Sequence, residues 1–420
     1  MKITPKSKNR HIHVDFAYFW NTLAGLINAG QSVLFMVVIT RSCGIVNAGI
    51  FSFAFANANL FLCIGKYGIK KFQATDLNEE YSFGDYFFSR VITTFVMFIG
   101  ILLYSFVKND DYTFYKSLTI VIVGLLKTVD SFDDVFLGMF QQKKRLDIGA
   151  RNSCLRNTAM LIISSLIIIT TKNMVLGLTI GFGISLIMLI FLNLKSLNMA
   201  EIKSNYNVDI QKLKQLLWVN LPLVIGDFLT IYITNCPKYA IDNYLTEEIQ
   251  AIYGIIAQPV LIVALFSDFI FNPILVVFSE CWLENNVYKF IKLLIRQIFL
   301  IGLFTFVVLT MGYLIGVPIL SIIYDVDISK YRREFMLLLL GGGFAAISSF
   351  LYVLIACIRK QKVVVPILGI VATIAVCLTP VLVAGYELLG ASLLYLGTAG
   401  LLALFWGSIL FWNLLKVRIH

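Results

Sequence analysis

Lys127, Asp130, Asp133 and Asp134 lie in "VGLLKTVDSFDDVF" (residues 123–136), inside a run otherwise apolar enough to cross a bilayer. At about 100° per residue, Lys127, Asp130, Asp134 and Gln141 share one helix face about 60° wide, and Asp133 points elsewhere. A charge at the bilayer centre costs about 2.5–3.5 kcal/mol even on the lenient insertion scale, so this face cannot look at lipid. Two chemistries suit it. Lys127 and Asp130 can neutralise each other as an i,i+3 pair in a helix interface. Alternatively the face walls a wet cavity, offering a cation to an anionic substrate and acids that take up and release charge.

Other apolar runs also carry polar groups: Asn21, Asn28, Gln31 and Ser32; Asn57 and Asn59; Asp227, Asn235 and Lys238; Gln258 and Asp268. Asn21, Asn28 and Ser32 share a face. A lone Asn commonly bonds a neighbouring helix, but this concentration predicts a hydrated cleft. Arg41 and Lys238, near the ends of their runs, bring positive charge to its mouth, although Arg41 equally suits interfacial snorkelling. His11, His13 and His420 lie at the chain ends, and the seven cysteines are scattered. No metal site, catalytic triad or disulfide framework is therefore expected.

The elements that must position these groups follow from composition. Of 420 residues, 59% are hydrophobic and only 14% charged, and the mean hydropathy is +0.85. That polar fraction cannot solvate a soluble protein of this length. With roughly 20 apolar residues per crossing, twelve spans are predicted: 16–40, 45–65, 91–107, 117–139, 158–171, 174–192, 218–240, 249–277, 298–315, 335–358, 363–384 and 390–415. Basic residues divide 25 to 8 between the two sets of loops, counting Lys238 at the outer end of its span with the smaller set, and Lys127 alone lies deep within a span. The positive-inside rule then places both termini in the cytoplasm of a multi-pass protein of the cell membrane. No cleavable signal peptide is expected, since the first apolar run is too long.

The polar segment 193–217 divides six spans from six, giving expected lobes at 1–205 and 206–420. "FWNTLAGLI" in the first span has an echo in "LWVNLPLVIGD" in the seventh, as in transporters built from repeats. Pro222, Pro237, Pro259 and Pro273 fall in spans seven and eight, where each removes a helix hydrogen bond. Four prolines there predict bent, mobile helices.

At 65–90, "GKYGIKKFQATDLNEEYSFGDYFFSR", at 133–156, "DDVFLGMFQQKKRLDIGARNSCLR", and at 235–245, "NCPKYAIDNYL", the chain resembles the Wzx-type polysaccharide transporters. These are lipid-linked oligosaccharide flippases of the multidrug/oligosaccharidyl-lipid/polysaccharide (MOP) exporter superfamily. The resemblance implies an all-α membrane fold of about twelve helices in two six-helix lobes around a central, MATE-like cavity. It implies alternating-access transfer of undecaprenyl-diphosphate-linked oligosaccharide from the cytoplasmic to the outer leaflet, for surface polysaccharide assembly. Lys127, Lys238 and Arg41 would then meet the diphosphate, and Asn28, Asn57 and Asn235 the sugars. Asp130, Asp134, Asp227 and Asp268 either couple transport to H+ or Na+ or balance the lysines. Partners would be the glycolipid, membrane lipids, and a polymerase and glycosyltransferases of the same pathway. No cofactor is expected.

Two rival readings compete with this one. A multidrug exporter of organic cations wants an acidic cavity without a central lysine, which Lys127 disfavours. A polymerase or glycosyltransferase finds only "DVD" at 325–327, in a short loop on the side away from nucleotide sugars. The chain is therefore expected not to be an enzyme. The net charge of +10 is spent on topology and anionic headgroups, leaving no feature that calls for nucleic acid.

Overall fold

The computed structural model describes residues 5–76, 78–108, 110–199, 206–271 and 274–419, and every element among them is helical. The chain separates into two compact units, Met1–Phe228 and Leu229–His420. The boundary thus falls inside a helix, whereas the expected division at 205/206 adjoins residues outside the described set.

The first unit contains α1 (Pro5–Cys43), α2 (Ile45–Lys66), the short α3 (Ile69–Thr75), α4 (Phe83–Val107), α5 (Phe114–Gln142), α6 (Leu146–Thr171), α7 (Met174–Met199) and the start of α8 (Ile210–Tyr244). Local chemistry sets the ends. Gly44, at φ 88° and ψ 169°, makes the whole turn between α1 and α2, in a backbone region essentially closed to other residues. Ser82 and Asp85 form a capping box at the start of α4, and Thr113 accepts from Lys116 N to start α5. Left-handed Lys172 ends α6, and the Asn173 side chain accepts from Leu176 N at 3.0 Å to begin α7. Two residues, Lys172 and Asn173, therefore suffice to separate these two crossings.

Helix α5 packs against α2, α3, α4, α6 and α7. The most charged helix of the unit thus stands at its centre and faces protein on several sides. At one end, Phe83, Phe87, Phe132 and Phe136 pack with Tyr206 in an aromatic cluster. The loop before α4 is fastened there too. Ser82 Oγ donates to Asn207 O, Asp209 N donates to Asp85 at 2.7 Å, and Tyr86 OH donates to Asp76 at 2.9 Å. Burial pushes the nearby Tyr81 phenol up.

The second unit continues α8 and adds α9 (Glu247–Ala257), α10 (Val260–Phe271), α11 (Leu275–Leu283), α12 (Val287–Met311), α13 (Val317–Tyr324), α14 (Arg332–Cys357) and α15 (Val364–Ile419). A π-helical turn, Gly312–Gly316, joins α12 to α13. Its core gathers Phe271, Phe278, Phe290, Phe350 and Trp406. Within α15 the helix breaks at Glu387 (φ 50°, ψ −129°). A Cβ at Gly390 would strike the Leu382 carbonyl, so only glycine fits where the chain turns back.

Ten segments are long and apolar enough to cross a membrane. Helix α5 stands outside that set because of its charges, and Gln361–Leu415 counts once although it is 55 residues long and broken at Glu387. The chain is an all-α, multi-pass membrane protein. With α5 added and the two arms of α15 counted apart, its described helices give twelve candidate crossings. Helices α4, α6 and α12, however, begin 8, 12 and 11 residues before the spans expected at 91, 158 and 298. The prolines behave unequally. Helix α8 runs unbroken through Pro222 and Pro237, and Pro259 separates α9 from α10. Pro273 lies outside the described residues.

Candidate functional site

Lys127 is 3% exposed. Its Nζ donates to Gln31 Oε1 of α1 and to Asp130 Oδ2, each at 2.9 Å, and lies 4.5 Å from the centre of the Phe55 ring on α2. The other oxygen of Asp130 receives Arg156 NH2 at 2.7 Å from α6, and the same nitrogen lies 3.4 Å from Asp133. Ser153 Oγ also donates to Asp133, and Arg156 NH1 donates to Ser185 Oγ of α7 at 2.6 Å. One turn on, Asp134 receives Arg90 NH2 of α4 at 2.9 Å, while Arg90 NH1 donates to the Gly65 carbonyl at 2.6 Å. Three cations thus meet three carboxylates, and the buried cluster has no formal net charge.

This geometry corrects three expectations. Spans expected to begin at 91 and 158 leave Arg90 and Arg156 in loops. Both lie within helices and are almost wholly buried, at 0% and 2% exposure. Removing them from the 25 loop cations leaves 23 against 8, so the bias persists. Asp133 does not point away from the cluster, because Arg156 reaches it from α6. Gln141, predicted on the Lys127 face, is exposed and outside the cluster. Of the two chemistries open to Lys127, the structure displays the first: a cation held by fixed partners inside the first unit.

The other candidates separate by burial. Asn57 is 2% exposed, with its Oδ1 lacking a hydrogen-bond partner among the described residues. Asn28 and Arg41, both on α1, are exposed. Asp227 is half-exposed and sits 3.7 Å from Lys71, a contact too long and too wet to hold it firmly. The side chain of Asp268 lies outside the described residues. In "DVD", Asp325 is the left-handed cap of α13, and Asp327 accepts from Ser329 N at 2.9 Å. Hydrogen bonds from Ser329 hold the Asp327 carboxyl below its usual range.

Lys238 stands apart from these. It lies near the end of α8, partly buried, and pairs with no acid and no hydrogen-bond acceptor among the described residues. Asn235, one turn earlier, donates its Nδ2 to Ile231 O at 3.1 Å. The repeat echo gives the position meaning. Arg41 follows Trp20 by 21 residues, and Lys238 follows Trp218 by 20. At 1.5 Å per residue each base lies about 30 Å along its helix, a bilayer core away from its tryptophan.

The profile of the family described as "Polysaccharide biosynthesis protein" matches residues 17–282, well over half of the chain. The chain belongs to the polysaccharide biosynthesis protein family. Among curated relatives, this family member is 24% identical over 387 residues to the capsular polysaccharide biosynthesis protein CapF of Staphylococcus aureus, covering 90% of this chain and 94% of CapF. Among solved structures, it is similar to the lipid II flippase MurJ in an inward closed conformation, with TM-score 0.69 and 16% identity, covering 97% of this chain and 90% of MurJ. It is likewise similar to an inward-facing multidrug resistance MATE family transporter of the MOP superfamily, with TM-score 0.68 and 13% identity, covering 94% and 96% of the two chains. The family member therefore has the fold shared by MATE and MurJ, as its sequence leads one to expect.

Proposed function

We propose that this polysaccharide biosynthesis family member is a flippase. It moves undecaprenyl-diphosphate-linked oligosaccharide from the cytoplasmic to the outer leaflet by alternating access, supplying surface polysaccharide assembly. The family match and the MurJ-like fold support a lipid-linked substrate. The observation that carries the chemistry is Lys238, a membrane-helix cation without a carboxylate partner among the described residues. A lysine left unpaired in such a place is costly unless an anion meets it.

In this reading each unit offers its own cation and amide: Arg41 with Asn28 on α1, Lys238 with Asn235 on α8. Lys127 and Asn57, both buried, act behind them by fixing α1, α2 and α5. Asp130 and Asp134 balance charge, which leaves H+ or Na+ coupling to Asp227 and Asp268. The loop bias of 23 to 8 supports cytoplasmic termini in the cell membrane. A diphosphate and a hydroxyl-rich glycan cannot shed water into hydrocarbon unaided. Fixed cations and amides replace that water while the polyprenyl tail stays in lipid.

The test uses a strain whose own gene for this chain is deleted. Wild-type protein should restore surface glycan, and Lys238→Ala should fail at equal membrane abundance while Lys238→Arg succeeds. Full display with Lys238→Ala would remove the lysine from the mechanism. Drug resistance conferred without any glycan effect would favour the multidrug reading instead.

A further inference from the structure

Helix α8 of the second unit has two unlike faces. Ile233, Cys236, Ala240 and Ile241 are all at most 2% exposed and turn into the unit's core. At about 100° per residue, Asn235, Lys238, Tyr239 and Asp242 fall on the opposite side, with Tyr232 at its edge, where it also packs against the core; each is only partly buried. On that side the rings of Tyr232 and Tyr239 stack, with centroids 5.6 Å apart and planes 18° from parallel. Two aromatic side chains two turns apart have thus joined into one apolar strip beside an unpaired lysine. Membrane-interface tyrosines need only anchor a helix in the headgroups. Here the stacked pair shares its face with a lysine that has no partner among the described residues and with an amide whose Oδ1 receives no hydrogen bond among them.

We propose that this face of α8 is a sugar-phosphate subsite, in which the Tyr232–Tyr239 strip takes the apolar face of a pyranose ring. Asn235 orients a hydroxyl through its carbonyl oxygen, and Lys238, one turn from it, meets the adjoining phosphate. The arrangement has the form of a ligand site, with apolar aromatic area providing contact and a few polar groups fixing orientation. It rests on the flippase reading and deepens it, since it names the residues that tell a glycosylated carrier from a bare one. The tyrosines act through their rings, so their hydroxyls are dispensable to the preference.

The experiment measures binding to the purified full chain with two probes. These are polyprenyl-diphosphate oligosaccharide extracted from the strain that encodes the chain, and bare undecaprenyl diphosphate. Wild type should prefer the glycosylated probe by roughly tenfold, the scale of a good aromatic stacking contact. The pair Tyr232→Leu and Tyr239→Leu should erase that preference and leave binding of the bare carrier within about twofold, whereas Phe at both positions keeps it. Should the double Leu chain fail to insert, Tyr239→Leu alone decides with the same probes. Equal binding of both probes by wild type, or a Leu variant that keeps the preference, overturns the subsite. Wild type that binds neither probe overturns the flippase reading, and the subsite with it.

Discussion

Arg156 on α6 reaches Asp130 at 2.7 Å and Asp133 at 3.4 Å on α5, so one guanidinium bridges both acids. Both oxygens of Asp130 are thereby occupied, since Lys127 takes the other. Removing one member of a buried ion pair leaves a charge with nothing to offset it, which costs about 3–5 kcal/mol. Arg156→Ala is expected to lower the unfolding temperature in detergent steeply and to reduce membrane abundance. An unchanged melting profile would contradict the buried cluster.

Lys127 provides a sharper version of the same test. Lys127→Met leaves Asp130 with one cation instead of two, and Lys127→Met with Asp130→Asn removes the mismatch. The double variant should recover stability relative to Lys127→Met, with a coupling energy of roughly 0.5–3 kcal/mol in a double-mutant cycle. Additive losses would show that the two side chains act independently.

How much of this was legible beforehand depends on the kind of residue. Twelve apolar runs announce twelve crossings, because a bilayer demands that length and composition locally. The pairing of Lys127 with Asp130 was equally accessible, being an i,i+3 relation on one helix. Arg90 and Arg156 escaped because a basic residue beside the start of an apolar run reads as its cytoplasmic flank. Yet the predicted span 117–139 carries three aspartates against one lysine, an imbalance that two more cations would cancel. Arg90 stands one residue before 91 and Arg156 two before 158, and the structure brings those two to the aspartates. The Tyr232–Tyr239 stack lay out of reach, because a seven-residue spacing of aromatics is common and only rotamers bring rings together.

Gly44 supports a backbone prediction. Its φ of 88° with ψ of 169° belongs to a region that side chains disfavour by about 1–3 kcal/mol. Gly44→Ala has open space around its Cβ, so any loss is conformational rather than steric. A modest fall in thermal stability is expected, measured beside Gly25→Ala in mid-helix, which should be neutral or stabilising. Equal effects at the two positions would contradict the strained turn.

Asp227 separates coupling from charge balance. Its long contact with Lys71 leaves it free to exchange partners, unlike Asp130 and Asp134. Asp227→Asn should blunt the response of glycolipid transport to an imposed proton or sodium gradient while leaving the unfolding temperature within a degree or two. A gradient response equal to wild type would remove Asp227 from coupling.

Leaflet sidedness decides whether this chain carries a lipid diphosphate bearing a sugar across a bilayer. Purified protein is reconstituted with the extracted polyprenyl-diphosphate oligosaccharide on the inner leaflet of vesicles, and glycan appearing outside is counted with a membrane-impermeant lectin. The account predicts time-dependent exposure with wild type and Lys238→Arg, and exposure near the protein-free level with Lys238→Ala. Wild type that stays at the protein-free level, or Lys238→Ala that flips at full rate, would contradict it.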